Sequence, residues 1–69
     1  SQKYDLIFAD PPFNLENIPE IHELVMQNNL VKENGWLIIE HGPTTKLNEL
    51  SHFFEQRKYG NVNFSFFTV

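Results

Sequence analysis

Apolar residues along this chain fall into short blocks, and the polar and proline-rich breaks between them set the predicted elements. Residues 4–9, YDLIFA, form a nearly continuous apolar run. Asp10-Pro11-Pro12 ends it, because neither proline can donate to a sheet ladder. An uninterrupted run of this kind predicts a strand covered on both faces, as in a parallel sheet. Asn17, three residues ahead of Glu20, predicts a helix cap with a reciprocal partner, and Pro19 falls harmlessly in the first turn. Ile18, Ile21, Leu24 and Val25 follow at helical spacing as one apolar face, and the helix fades near Asn28 and Asn29. Leu30 and Val31 turn back into the core, Asn34-Gly35 marks a turn, and WLIIE (residues 36–40) predicts a second buried strand.

Strand, helix and strand make a βαβ unit, whose crossover is right-handed in nearly all proteins. Gly42-Pro43 breaks the chain again. Thr44 or Thr45 then caps a second predicted helix, with Leu47, Leu50, Phe53 and Phe54 along one side. Arg57-Lys58-Tyr59 reads as extended, and Gly60-Asn61 fits a two-residue hairpin turn. After it Val62, Phe64 and Phe66 alternate with Asn63 and Ser65, the pattern of a returning antiparallel strand. The predicted order is β-α-β-α-β-β: an α/β fold with a mostly parallel sheet ending in an antiparallel hairpin. Residues 1–69 are one partial domain in this reading. Only Ser1 to Lys3 precede the first strand, so nothing in the chain supplies its second neighbour. The expectation is therefore the carboxyl-terminal part of a larger domain. Its open strand at residues 4–9 is expected to make the isolated chain a homo-oligomer.

Composition narrows the classes. At 41% hydrophobic and 14% aromatic, the chain is too apolar for a disordered segment. It has no cysteine, which excludes disulfides and thiolate metal sites. No apolar run approaches the ~20 residues of a membrane-spanning helix. Ser1-Gln2-Lys3-Tyr4-Asp5 lacks the features of a signal peptide, so a cytoplasmic location is expected. The net charge of −4 means that any phosphate-gripping surface must come from elsewhere.

Candidate chemistry centres on Asp10-Pro11-Pro12-Phe13, directly after the first strand. In open α/β sheets ligands bind outside the carboxyl ends of the strands. Two prolines remove two N–H donors and leave rigid carbonyl acceptors, and the Asp10 carboxylate adds another. Such a set of acceptors suits an exocyclic amino group, and Phe13 can stack on the base that bears it. Acceptors and an aromatic face also favour the cationic character that develops when a sulfonium methyl reaches nitrogen. The plainer alternative is a turn that merely ends a strand. Glu40-His41 lies at the end of the second strand, where His41 is a weaker substrate-binding candidate. His22 and His52 fall within the predicted helices without a second ligand at metal spacing and are expected at the surface, and Trp36 is expected in the core. No metal site is predicted.

YDLIFADPPFN followed by a helix and NGWLIIEHG resembles the rRNA guanine-N2 methyltransferases of the RsmD type. More broadly, it is similar to S-adenosylmethionine-dependent amino-methyltransferases with an (Asp/Asn)-Pro-Pro-(aromatic) motif. The resemblance covers nearly the whole chain but only the last four strands of that Rossmann-like fold, which end in an antiparallel hairpin. It implies that Asp10 and the Pro11 carbonyl hold the target amine, with Asp10 also bordering the cofactor. It implies a catalytic turn of Asp10, Pro11, Pro12 and Phe13, with Phe13 against the base and Asn14 beside the pocket. S-adenosylmethionine is the implied cofactor and rRNA the implied partner. The family's glycine-rich cofactor loop has no counterpart among Gly35, Gly42 and Gly60. The rival readings are a non-catalytic self-associating or protein-interaction module, and a fragment of a DNA adenine-N6 methyltransferase.

Overall fold

The computed structural model describes residues 2–12 and 17–69. The apolar run becomes β1 (Tyr4–Ala9), and the next segment becomes α1 (Ile18–Gln27). The chain returns as β2 (Val31–His41), parallel to β1, with Ile7 opposite Leu37 and Ala9 opposite Ile39. A hairpin of β3 (Phe53–Tyr59) and β4 (Val62–Thr68) completes a four-stranded sheet in the order β1-β2-β4-β3. Gly60 at φ 61° allows its tight turn, as the sequence predicts. The α/β class and the terminal antiparallel hairpin thus hold, in a sheet with one parallel pairing and two antiparallel ones.

Several local expectations need correction. The first concerns the second helix, which does not form. Residues 43–52 are a chain of turns, with Leu50 N–H donating to Leu47 C=O and Phe53 N–H to Leu50 C=O. These i→i−3 bonds match apolar spacing of three, and His52 at φ 66° closes the segment. Phe53 and Phe54 belong to β3 and point to opposite faces, which a shared helical stripe would forbid. Phe53 meets Phe67 at a ring separation of 5.8 Å, while Phe54 meets Trp36 at 5.2 Å.

The second correction is to α1. Its buried stripe is Ile18, His22 and Val25, whereas Leu24 is exposed. His22 is therefore buried rather than at the surface: Nε2 donates to the Ser51 carbonyl at 2.8 Å, and the ring lies 4.8 Å from that of Phe67. Asn17 occupies the cap position without a side-chain cap bond, so the reciprocal pairing with Glu20 is absent. Asn29, at φ 50°, ends the helix instead, and Leu30 N–H reaches back to Val25 C=O.

The third concerns Asn34-Gly35, which lies inside β2 as a register irregularity rather than before it. Tyr4 pairs with Val31 but Leu6 with Trp36, so β2 carries the extra residues. A Cβ on Gly35 would stand 2.8 Å from the Asp5 carbonyl oxygen and 2.9 Å from that of Lys32, so only glycine fits.

The two faces of the sheet differ. On the α1 face, Leu37, Ile39, Phe67, Ile18 and Leu47 are fully buried. Opposite lies an aromatic face of Trp36, Phe8, Phe54, Phe64 and Phe66, where Leu6 and Phe8 remain more than half exposed. Trp36 is only partly covered there, not the core residue expected.

Candidate functional site at the carboxyl rim

β1 and β2 run in the same direction, so Ala9 and His41 end at one rim of the sheet. The residue after Ala9 is Asp10, exposed at that rim, followed by a buried Pro11 and an exposed Pro12. The chain thus leaves β1 with one residue at the surface and the next packed inside. Phe13 and Asn14 lie outside the described residues.

His41 behaves differently from the candidate read in the sequence. It is fully buried, and both ring nitrogens are engaged. Its Nδ1 is 3.2 Å from the Gly42 carbonyl oxygen, and Nε2 is 2.7 Å from Ser65 Oγ. A carbonyl only accepts, so Nδ1 carries the proton and the Ser65 hydroxyl donates to Nε2. Burial holds the His41 pKa below its ordinary value, partly offset by hydrogen bonds to the Gly42 and Thr45 backbone. His41 therefore does not present its ring to a ligand; it fixes the loop that follows β2.

Two residues given no role from sequence complete this cluster. Asn63 and Ser65 alternate with the phenylalanines of β4, yet they occupy the α1 face and are buried. Asn63 stands opposite His41 across the β2–β4 pairing, and its Nδ2 donates to the Gly42 carbonyl at 3.4 Å. The sequence signal for them was a histidine ending an apolar strand, which needs buried polar partners. Beside the cluster, a cavity of about 320 Å³ opens among Pro43, Thr45, Lys46, Asn48, Gln56 and Asn63. Elsewhere charges are peripheral: Lys32 and Asp5 approach to 3.7 Å, and exposed Arg57 pairs with Glu55 over the Phe66 ring. Among the described residues, no group of His, Asp and Glu is arranged to hold a metal, and no helix is long and apolar enough to cross a membrane.

This geometry has known counterparts. Residues 1–68 match the family described as conserved hypothetical protein 95. An uncharacterized methylase of Rickettsia prowazekii (strain Madrid E) is 37% identical over 41 residues, 59% of this chain and 17% of its own length. Among solved structures, a Haemophilus influenzae protein named as a methylase superposes with a TM-score of 0.78 at 22% identity. That match covers 96% of this chain and 42% of the Haemophilus protein. A conserved hypothetical protein of Streptococcus pyogenes gives a TM-score of 0.80 at 25% identity, over 100% of this chain and 46% of its own. The chain thus spans less than half the length of the relatives it matches. A family match over nearly every residue, on a sheet shared with these proteins, assigns the chain to the conserved hypothetical protein 95 family.

Proposed function

We propose that the protein carrying this chain methylates an exocyclic amino group of a nucleic-acid base, guanine N2 of small-subunit rRNA being the target, in the cytoplasm. The observation that carries this reading is the exposed Asp10 directly after β1 at the carboxyl rim, followed by a buried Pro11. An amino group has two N–H bonds to give. Asp10 accepts one and the Pro11 carbonyl accepts the other, which turns the nitrogen lone pair toward the incoming methyl. The carboxylate also stabilises positive charge as nitrogen becomes tetrahedral. Phe13 and Asn14 border the base in this reading. Pro12 keeps the turn free of a competing donor, and His41 acts through the loop it holds.

S-adenosylmethionine is the proposed methyl donor. The described residues do not by themselves fit it. Gly35 is packed against backbone, and Gly60 lies in a hairpin turn with nothing within 4 Å of an added Cβ, so neither cradles a ligand. In this reading Asp10 borders the donor's methyl. Replacing Asp10 by Ala tests the reading in the full-length protein. Transfer of labelled methyl to unmethylated rRNA is expected to drop by about 100-fold or more, with the circular dichroism spectrum unchanged. Undiminished transfer would remove Asp10 from the chemistry. Faster methylation of adenine N6 in DNA would favour the rival target.

One observation favours a second property. β1 is an edge strand whose Tyr4, Leu6 and Phe8 are exposed. The isolated chain therefore pairs with a second copy along β1, burying those side chains.

A further inference from the structure

The cavity beside His41 carries more than a supporting role. Asn63 is 4% exposed and lines it, and among the described residues its Oδ1 has no hydrogen-bond partner. A buried acceptor without a donor is costly, so the site calls for one. Its other walls are one ammonium (Lys46), one hydroxyl (Thr45), two further carboxamides (Asn48 and Gln56) and Pro43. Among the described residues no carboxylate lines it, although the chain as a whole is acidic. Its volume of about 320 Å³ falls in the range of small-ligand clefts.

We propose that this cavity holds the sugar and phosphate of a ribonucleotide flanking the target base, with Asn63 Oδ1 accepting a hydrogen bond from its 2′-hydroxyl. The inference rests on the reading of Asp10 as the target site. Lys46 supplies the charge for the phosphodiester, and the Thr45 hydroxyl and the Asn48 and Gln56 amides supply donors for its oxygens. A hydroxyl next to an anion is the combination that separates RNA from DNA. The spacing agrees. Asn63 enters β4, two strand positions from β1, which at about 4.8 Å per strand is roughly 10 Å from the Asp10 turn. That separation places the subsite on a nucleotide near the methylated base and not on the base itself.

A scan of single 2′-deoxy substitutions along a target RNA oligonucleotide, bound to the full-length protein, tests this. One position near the target should weaken Kd by about 10-fold, and that penalty should vanish in the Asn63→Leu protein. Lys46→Ala should lower the salt slope of binding by about 0.7. The deoxy scan needs no protein variant, so misfolding of Asn63→Leu leaves it decisive. A flat scan, a penalty that persists in Asn63→Leu, or equal affinity for the matching DNA would overturn the proposal and leave a water-filled cavity. Failure of the Asp10 reading is seen separately, as methyl transfer that survives Asp10→Ala with the deoxy penalty in Kd intact.

Discussion

Ser65→Ala is the smallest change that probes the buried cluster. Ser65 is fully buried, and its hydroxyl is the donor to His41 Nε2 at 2.7 Å. The other imidazole nitrogen is committed to the Gly42 carbonyl, so the ring cannot turn to find a substitute without giving up that bond. Removing the hydroxyl therefore strands a ring nitrogen where water does not reach. The expected cost is about 1–3 kcal/mol, the penalty of an unmet buried polar group rather than the smaller net value of one hydrogen bond. Urea unfolding at pH 8, where the imidazole is neutral, measures it as a lower midpoint at unchanged slope. The double variant with His41→Leu adds a sharper criterion. Once the imidazole is gone, loss of the hydroxyl strands nothing, so the two costs should fall short of additive by at least about 0.5 kcal/mol. A Ser65→Ala protein within about 0.3 kcal/mol of the parent, or two strictly additive costs, would refute the assigned tautomer and the cluster built on it.

Two more outcomes follow from the same structure. Because His41 is held below its ordinary value of 6.5, the unfolded chain binds a proton that the folded one refuses. Stability should therefore be level above pH 6.5, fall as the pH drops below it, and level off again below the folded pKa. His41→Leu should remove that component from the urea midpoint measured against pH. At the sheet edge, Leu6→Lys should shift the isolated chain toward monomer, because Leu6 is 57% exposed on an edge strand that pairs on one side with β2. Sedimentation that is the same for both proteins at every concentration would rule out pairing through β1.

Features set by backbone chemistry at one place were legible. Two prolines stop β1 in any context, and glycine at the hairpin turn selects the tight reversal between β3 and β4. The parallel pairing of residues 4–9 with residues 36–40 agrees with their continuous apolar character, but the cover on both faces expected of β1 is missing among the described residues, where Leu6 and Phe8 stay exposed. The reading of the Gly42–Phe54 stretch failed because Leu47, Leu50, Phe53 and Phe54 are spaced compatibly with a helix. The choice was made by Phe67 and Trp36 on opposite faces of the sheet, each taking one phenylalanine. His22 was misplaced for a related reason. The stripe that α1 buries is set by what lies beneath it, and there the Ser51 carbonyl and the Phe67 ring accept an imidazole.

The sequence alone determined the α/β class, the limits of β1 and the hairpin, because each depends on residues adjacent in the chain. Tertiary structure alone decided that Asn63 and Ser65 are buried, that His41 supports a loop instead of facing a ligand, and that one face of the sheet stays open. Those outcomes rest on pairings between residues 22 to 29 positions apart, such as His41 with Ser65 and His22 with Ser51. A local pattern of polar and apolar residues shows which side chains share a face. Only the assembled sheet shows which face is covered.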